Sequence, residues 1–268
     1  MIWQYNAAII HKKMNILNSF ILGIVEGISE FLPISSTGHL ILTTRLLGIP
    51  STEFVKTFQI AIQLGAILSV VVLYWKRFLS NFAVLKKVCA AFIPTAAIGL
   101  LLYKVIKKYL LGNSDVVIWA LFLGGIFLIL FELFHREKEG EVKEAALISY
   151  KQAFLIGAFQ AISVIPGVSR SAATIIGGLA LGLRRDVIVE FSFLLAVPTM
   201  LAATLLDLYK TAGAFTQEQF VFLGIGFITS FIVAIFAIKF LISFIKKHSF
   251  MLFGIYRILI AVLFWFII

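Results

Sequence analysis

Apolar residues in this chain do not alternate with polar ones at the period of a half-buried helix or strand. They run in long blocks such as Val116–Leu133, Phe220–Ile238 and Phe250–Ile268. A helix rises about 1.5 Å per residue, so roughly 20 such residues cross a hydrocarbon layer about 30 Å thick. Six stretches are long enough, at about 53–75, 88–106, 116–134, 187–208, 219–244 and 250–268. Outer-membrane strands would need short alternating segments, so the pattern predicts an all-α polytopic membrane protein with six transmembrane helices. Two further apolar stretches, 17–47 and 151–183, are each broken near the middle by a polar run containing proline. The breaks are Pro33-Ile34-Ser35-Ser36-Thr37-Gly38-His39 and Pro166-Gly167-Val168-Ser169-Arg170-Ser171. Their limbs are too short to span, which predicts two re-entrant helix-loop-helix hairpins.

The two broken stretches resemble each other. Gly23-Ile24-Val25-Glu26-Gly27-Ile28-Ser29 aligns with Gly157-Ala158-Phe159-Gln160-Ala161-Ile162-Ser163. With a one-residue gap, Pro33 then falls on Pro166, Ser36 on Ser169 and Phe58 on Phe191. The single membrane domain, 1–268, therefore reads as two halves, about 15–134 and 151–268, each a hairpin followed by three spans. An odd number of spans per half gives opposite orientations, the inverted-topology repeat with broken helices. Lys76, Arg77, Lys86, Lys87, Arg136, Lys138, Lys143, Arg184, Arg185, Lys246 and Lys247 gather on one face. The other face holds chiefly Lys12, Lys13, Lys104, Lys107, Lys108 and Lys210. The more basic face is expected to be cytoplasmic, with both termini outside and the hairpin tips meeting near mid-membrane.

Composition sharpens this picture. The chain is 61% hydrophobic and 13% charged, with a mean hydropathy of +1.06, against roughly 25% charged residues in soluble domains. A net charge of +10 fits the basic loops of an inner-membrane protein and attraction to an anionic substrate or lipid head group. Its basic residues sit at helix ends rather than along one stripe, which argues against nucleic acid. One cysteine, Cys89, excludes an internal disulfide and a cysteine metal cluster; in its apolar stretch it reads as plain filling. No cleavable signal peptide is evident, since Glu26 and Glu30 interrupt the first apolar run, and Met14 offers a second start site.

The candidate chemistry lies in the breaks. Glu26 and Glu30, four residues apart, share a helix face, and two acids in an apolar helix imply a divalent-cation site or a shared proton. Ser35, Ser36, Thr37, Gly38 and His39 follow; the hydroxyls suit a helix cap whose free amides form an anion site, and His39 suits proton transfer. Ser169, Arg170, Ser171 and Thr174 form the second tip. Arg170 matches a phosphate with its planar fork, or else it joins the halves through Glu26 or Glu30. Acids, hydroxyls, a histidine and a guanidinium together suit phosphoryl transfer.

The run from Glu26 to His39 resembles the first signature of the bacterial undecaprenyl-pyrophosphate phosphatases, and Pro166–Thr174 is similar to their second. The resemblance extends from about Asn15 over nearly the whole chain. It implies hydrolysis of undecaprenyl pyrophosphate to the monophosphate, which recycles the cell-wall lipid carrier, aided by a divalent cation, for which the oxygen ligands of Glu26 and Glu30 suit Mg²⁺ or Ca²⁺. It also implies bacitracin sensitivity when the activity is lost. By position, Glu26 and Glu30 match the family's metal-linked acids, Ser36 and His39 its catalytic pair, and Arg170 its phosphate clamp; the neighbouring hydroxyls of Ser35, Thr37, Ser169, Ser171 and Thr174 are read from the residues themselves as further phosphate contacts. Ala172 stands where the family often has glycine. Either Ser36 or His39 could attack phosphorus; Ser36, with His39 as its base, is favoured. The expected location is the bacterial cytoplasmic membrane, with the site opening outward, lipids around it and a homodimer allowed. The rival reading is an inverted-repeat transporter or flippase for an anionic or lipid-phosphate substrate, which would need binding groups but no nucleophile.

Overall fold

A computed structural model describes residues 14–76, 81–110, 113–135, 142–211 and 216–267. Lys12, Lys13, Arg77, Arg136 and Lys138 of the charge argument lie outside them, as do residues 1–13 as a whole. Ten α-helices account for most of the described chain: α1 (Ile16–Ser29), α2 (Ser36–Leu46), α3 (Glu53–Leu73), α4 (Phe82–Val105), α5 (Ser114–Phe134), α6 (Tyr150–Ala161), α7 (Arg170–Ala180), α8 (Arg185–Thr211), α9 (Gln217–Ile245) and α10 (Met251–Ile267). Strand pairing among the described residues is limited to an isolated bridge between Val142 and Leu183. Polar residues start the helices. Asn15, Thr52, Asn81 and Asn113 each accept an amide of the first turn, while Ser149 with Gln152 and Thr216 with Gln219 form reciprocal capping boxes.

The chain is an all-α polytopic membrane protein. Helices α3, α4, α5, α8 and α9 are long and apolar enough to cross a membrane, and α10 is an apolar helix of 17 residues, at the short end of the spanning range. Large apolar side chains cover the outside: Leu101, Phe134 and Phe266 are all more than four-fifths exposed. Cys89 belongs to that surface rather than to the interior.

The two hairpins are α1–α2 and α6–α7, each folded on itself. Their helices begin 134 residues apart (Ile16 and Tyr150; Ser36 and Arg170). The offset therefore continues through the break, and the one-residue gap expected from the prolines is not taken. Ser35 matches Ser169, and Ser36 matches Arg170. Packing crosses between the halves: α1 lies along α9, α6 along α4, α3 against α8, and α5 against α10. Gly23 and Gly157, also 134 residues apart, permit two of these crossings. A Cβ on Gly23 would stand 2.8 Å from the Gly226 carbonyl oxygen of α9, and one on Gly157 would overlap the Ala91 carbonyl of α4. Small residues allow this backbone approach where no hydrophobic force drives apolar helices together in lipid.

Candidate active site

Both hairpin breaks solve the same local problem. Ser35 caps α2 by accepting the Gly38 amide, and Ser169 caps α7 by accepting the Ala172 amide at 3.2 Å. To do so each takes a positive φ, 72° and 78°, and they are the only non-glycine residues of the described chain that do. That region is disfavoured for residues with a Cβ, and Gly167, at φ 97°, helps the second loop turn. Two helix N-termini thus point their first-turn amides and dipole ends at one place, the arrangement that binds anions.

That place is a cavity of about 60 Å³ whose polar lining includes Glu30, Ser35, Ser36, Thr37, Ser169 and Arg170, together with Gln63 and Ser163. Inside it, Ser36 Oγ donates to Glu30 Oε2 at 2.5 Å, a charge-assisted contact. The other Glu30 oxygen, Oε1, accepts from Arg170 Nη2 at 3.1 Å and Nε at 3.3 Å. Both side chains are almost fully buried. Arg170 Nη1 donates to the Ser192 carbonyl of α8 at 2.9 Å. The salt bridge joining the halves is therefore present, and it is part of the cavity wall rather than an alternative to it.

The structure separates the remaining candidates. Thr37 reaches the cavity and accepts from Gln63 Nε2 at 3.3 Å. Ser171 and Thr174, expected as phosphate contacts, do not line it. Ser171 Oγ donates to the Leu32 carbonyl at 2.9 Å, and Thr174 Oγ1 meets Ser192 Oγ at 2.6 Å. One and four residues beyond Arg170, they face the first hairpin and α8, and they brace the tip. His39, expected as the base of Ser36, turns the other way. Its Nδ1 lies 2.8 Å from the Ser35 carbonyl oxygen and its Nε2 2.9 Å from the Tyr256 hydroxyl, with the two rings stacked. Glu30, not His39, is the hydrogen-bond partner of the Ser36 hydroxyl.

Glu26 is fully buried one turn before Glu30, within electrostatic reach of it and of Arg170, and apart from its contact with the Glu30 carboxyl neither of its oxygens has a hydrogen-bond partner. Among the described residues, no three His, Cys, Asp or Glu side chains gather as a metal site. Hard cations accept one or two carboxylates when phosphate and water complete the shell. An orphaned carboxylate beside a second acid fits that description.

Neighbours of the site that were not singled out from the sequence include Gln63, Ser163, Ser192, Tyr256 and Arg257. Nothing marks Ser192 in its helix. Arg257 was visible as a charge inside an apolar span, which is by itself a signal of function.

Residues 19–263 match the family described as bacitracin resistance protein BacA. Proteins named undecaprenyl-diphosphatase resemble the chain closely over most of both lengths. That of Aquifex aeolicus is 56% identical over 91% of this chain and 95% of its own. That of Sulfurihydrogenibium sp. is 52% identical over 94% and 99%, and that of Wolinella succinogenes 50% identical over 94% and 98%. With a match that takes in both hairpin breaks and every residue of the cavity, the chain belongs to the BacA bacitracin resistance family.

Proposed function

We propose that the protein hydrolyses undecaprenyl pyrophosphate to undecaprenyl phosphate and inorganic phosphate, recycling the lipid carrier of cell-wall synthesis. The observation that carries this reading is the Ser36–Glu30–Arg170 contact chain at the meeting point of two capped helix starts. Ser36 Oγ attacks the terminal phosphorus as Glu30 takes its proton. The bond from that phosphorus to the bridging oxygen breaks, and the lipid monophosphate leaves. The departing monophosphate takes that proton from Glu30, which is then free to accept one from the water that attacks the phosphoserine and to pass it to Ser36 Oγ as the P–Oγ bond breaks and phosphate leaves. Arg170 and the amides that open α2 and α7 hold the phosphate charge as it shifts, the largest usual source of such catalysis. Glu26 with Glu30 would hold a divalent cation, Mg²⁺ or Ca²⁺, which when bound neutralises pyrophosphate charge. A transporter would need the anion groups but no serine held on a carboxylate. In this reading the protein sits in the cytoplasmic membrane with its termini and the mouth of the site outside, as the basic residues favour.

Phosphate release by purified protein in detergent tests the reading. Ser36→Ala should lower turnover by about 10⁴-fold or more, as removal of a nucleophile does elsewhere. Arg170→Lys, which keeps charge but loses the fork, should lose roughly 100- to 1000-fold. Full turnover by a well-folded Ser36→Ala protein would sink the covalent route, and near-normal turnover by Arg170→Lys would leave Arg170 as a salt bridge alone.

A further inference from the structure

Arg257 has no part in the steps above, yet among the described residues it is the largest fully buried side chain, at 1% exposure. No carboxylate among the described residues pairs with it. Each of its nitrogens ends instead on main-chain oxygen. Nη1 donates to Val168 at 2.9 Å and Pro33 at 3.3 Å, Nη2 to Gly167 and Ala120 at 2.9 Å each, and Nε to Leu121 at 3.4 Å. Three of these five carbonyls belong to the hairpin loops: Pro33 lies two residues before the Ser35 cap, and Gly167 and Val168 lead directly into the Ser169 cap. The other two belong to α5, so one guanidinium ties both loop tips to a single rigid helix.

A trans peptide sets its C=O and N–H in opposite directions. Turning the Val168 carbonyl onto Arg257 therefore turns the Ser169 amide away from it, and Ser169 lines the cavity. The next peptides are held from both edges. Val168 N–H donates to the Ile165 carbonyl at 3.2 Å and Ile34 N–H to the Leu32 carbonyl at 2.7 Å, while the carbonyls across the same peptide planes, Gly167 and Pro33, accept from Arg257. We infer that Arg257 is a positioning residue of the reaction centre: it fixes the two loops relative to each other, so that the caps Ser35 and Ser169 hold their positive-φ conformations and the amides at the starts of α2 and α7 converge on one phosphate. Its charge, unlike that of Arg170, is not offset by a carboxylate, so it adds positive potential behind both loops. A lysine carries the charge on one atom at the end of a flexible stem and does not reach both loops and α5 together.

Gly124 on α5 makes the seat. A Cβ there would overlap Nη2 of Arg257 and stand 2.8 Å from its Cζ, so Gly124→Ala displaces the far end of a flexible side chain and keeps the arginine. This role rests on the hydrolysis proposed above. The test measures phosphate release from undecaprenyl pyrophosphate, and inhibition by inorganic phosphate, for wild type, Arg257→Lys and Gly124→Ala. Both variants should remain monodisperse, with kcat lowered about 100-fold, the size of losing one anion-hole donor. Their inhibition constants for phosphate should rise about tenfold, the weight of one weakened charged hydrogen bond. A merely structural arginine behaves differently: the active fraction falls, but the inhibition constant and KM of what remains stay at wild-type values, and that result overturns the inference. If Arg257→Lys does not fold, Gly124→Ala decides alone, and wild-type kcat and inhibition in that variant overturn the inference while hydrolysis stands. Absence of turnover by the wild-type protein would overturn the hydrolysis itself.

Discussion

Glu30 carries more than any other side chain in the site. One carboxylate oxygen accepts the Ser36 hydroxyl and the other accepts the Arg170 fork, so in the proposed mechanism the residue that activates the nucleophile is held in place by the phosphate clamp. Glu30→Gln should lower turnover by about 10²- to 10⁴-fold, the usual reach of a general base. His39→Gln, acting only through Ser35 and Tyr256, should cost less. The reverse ranking in phosphate-release assays on folded proteins would move the base to His39. Glu26 offers a separate measurement. A cation that binds the folded protein raises its thermal midpoint by mass action, so Mg²⁺ or Ca²⁺ should stabilise wild type, and Glu26→Gln should abolish that shift; a shift that survives places the cation elsewhere. The types of residue needed were legible in the two broken runs, but their pairing was not. Ser36 and His39 sit three apart on one turn, yet His39 is claimed by Tyr256 from a helix more than 200 residues further along the chain.

At the scale of elements, the two loops work because a serine occupies a conformation that suits glycine better. Ser169 supplies a cap and bears a positive φ, and the two contributions can be separated. Ser169→Ala removes the cap and keeps the strain; Ser169→Gly removes both. A lost cap costs about 1 kcal/mol, and the left-handed backbone about 1–2 kcal/mol for a residue with a Cβ. The alanine variant should therefore have the lower thermal midpoint in detergent, and equal midpoints would remove the strain argument. The hairpins themselves were visible in the sequence because proline and polar residues interrupt apolar runs. Pro33 and Pro166 suggest a register one residue away from the one the helix starts take. The caps Ser35 and Ser169, whose backbone geometry a sequence does not display, set the true correspondence.

At the scale of the whole molecule, the pairings α1–α9 and α6–α4 exchange with one another when the halves are exchanged, and α3–α8 and α5–α10 exchange with themselves. Such a pattern suits two halves of opposite orientation. Reporter fusions after Gly140, which lies outside the described residues, and at the C-terminal end of α10 should then report opposite sides of the membrane, the first cytoplasmic. Agreement between the two reporters would break the inverted arrangement. The long apolar blocks made the spans legible from the start, since length and hydropathy are local properties. The crossed packing was not legible, because it depends on small residues such as Gly23 and Gly157 meeting backbones in the opposite half.

That crossing has a consequence for how the protein is made. Helix α1 leaves the ribosome early, and α9, which covers it, follows some 200 residues later. At about 5–20 residues per second, the delay is roughly 10–40 s. During it the first hairpin, with Glu26 and Glu30, waits in the insertion machinery or the lipid without its cover. Arg257 arrives last, on α10, to close both loops onto α5. A nascent chain therefore holds every group of the contact chain by the time α7 is inserted, yet the centre is locked only when synthesis is nearly finished.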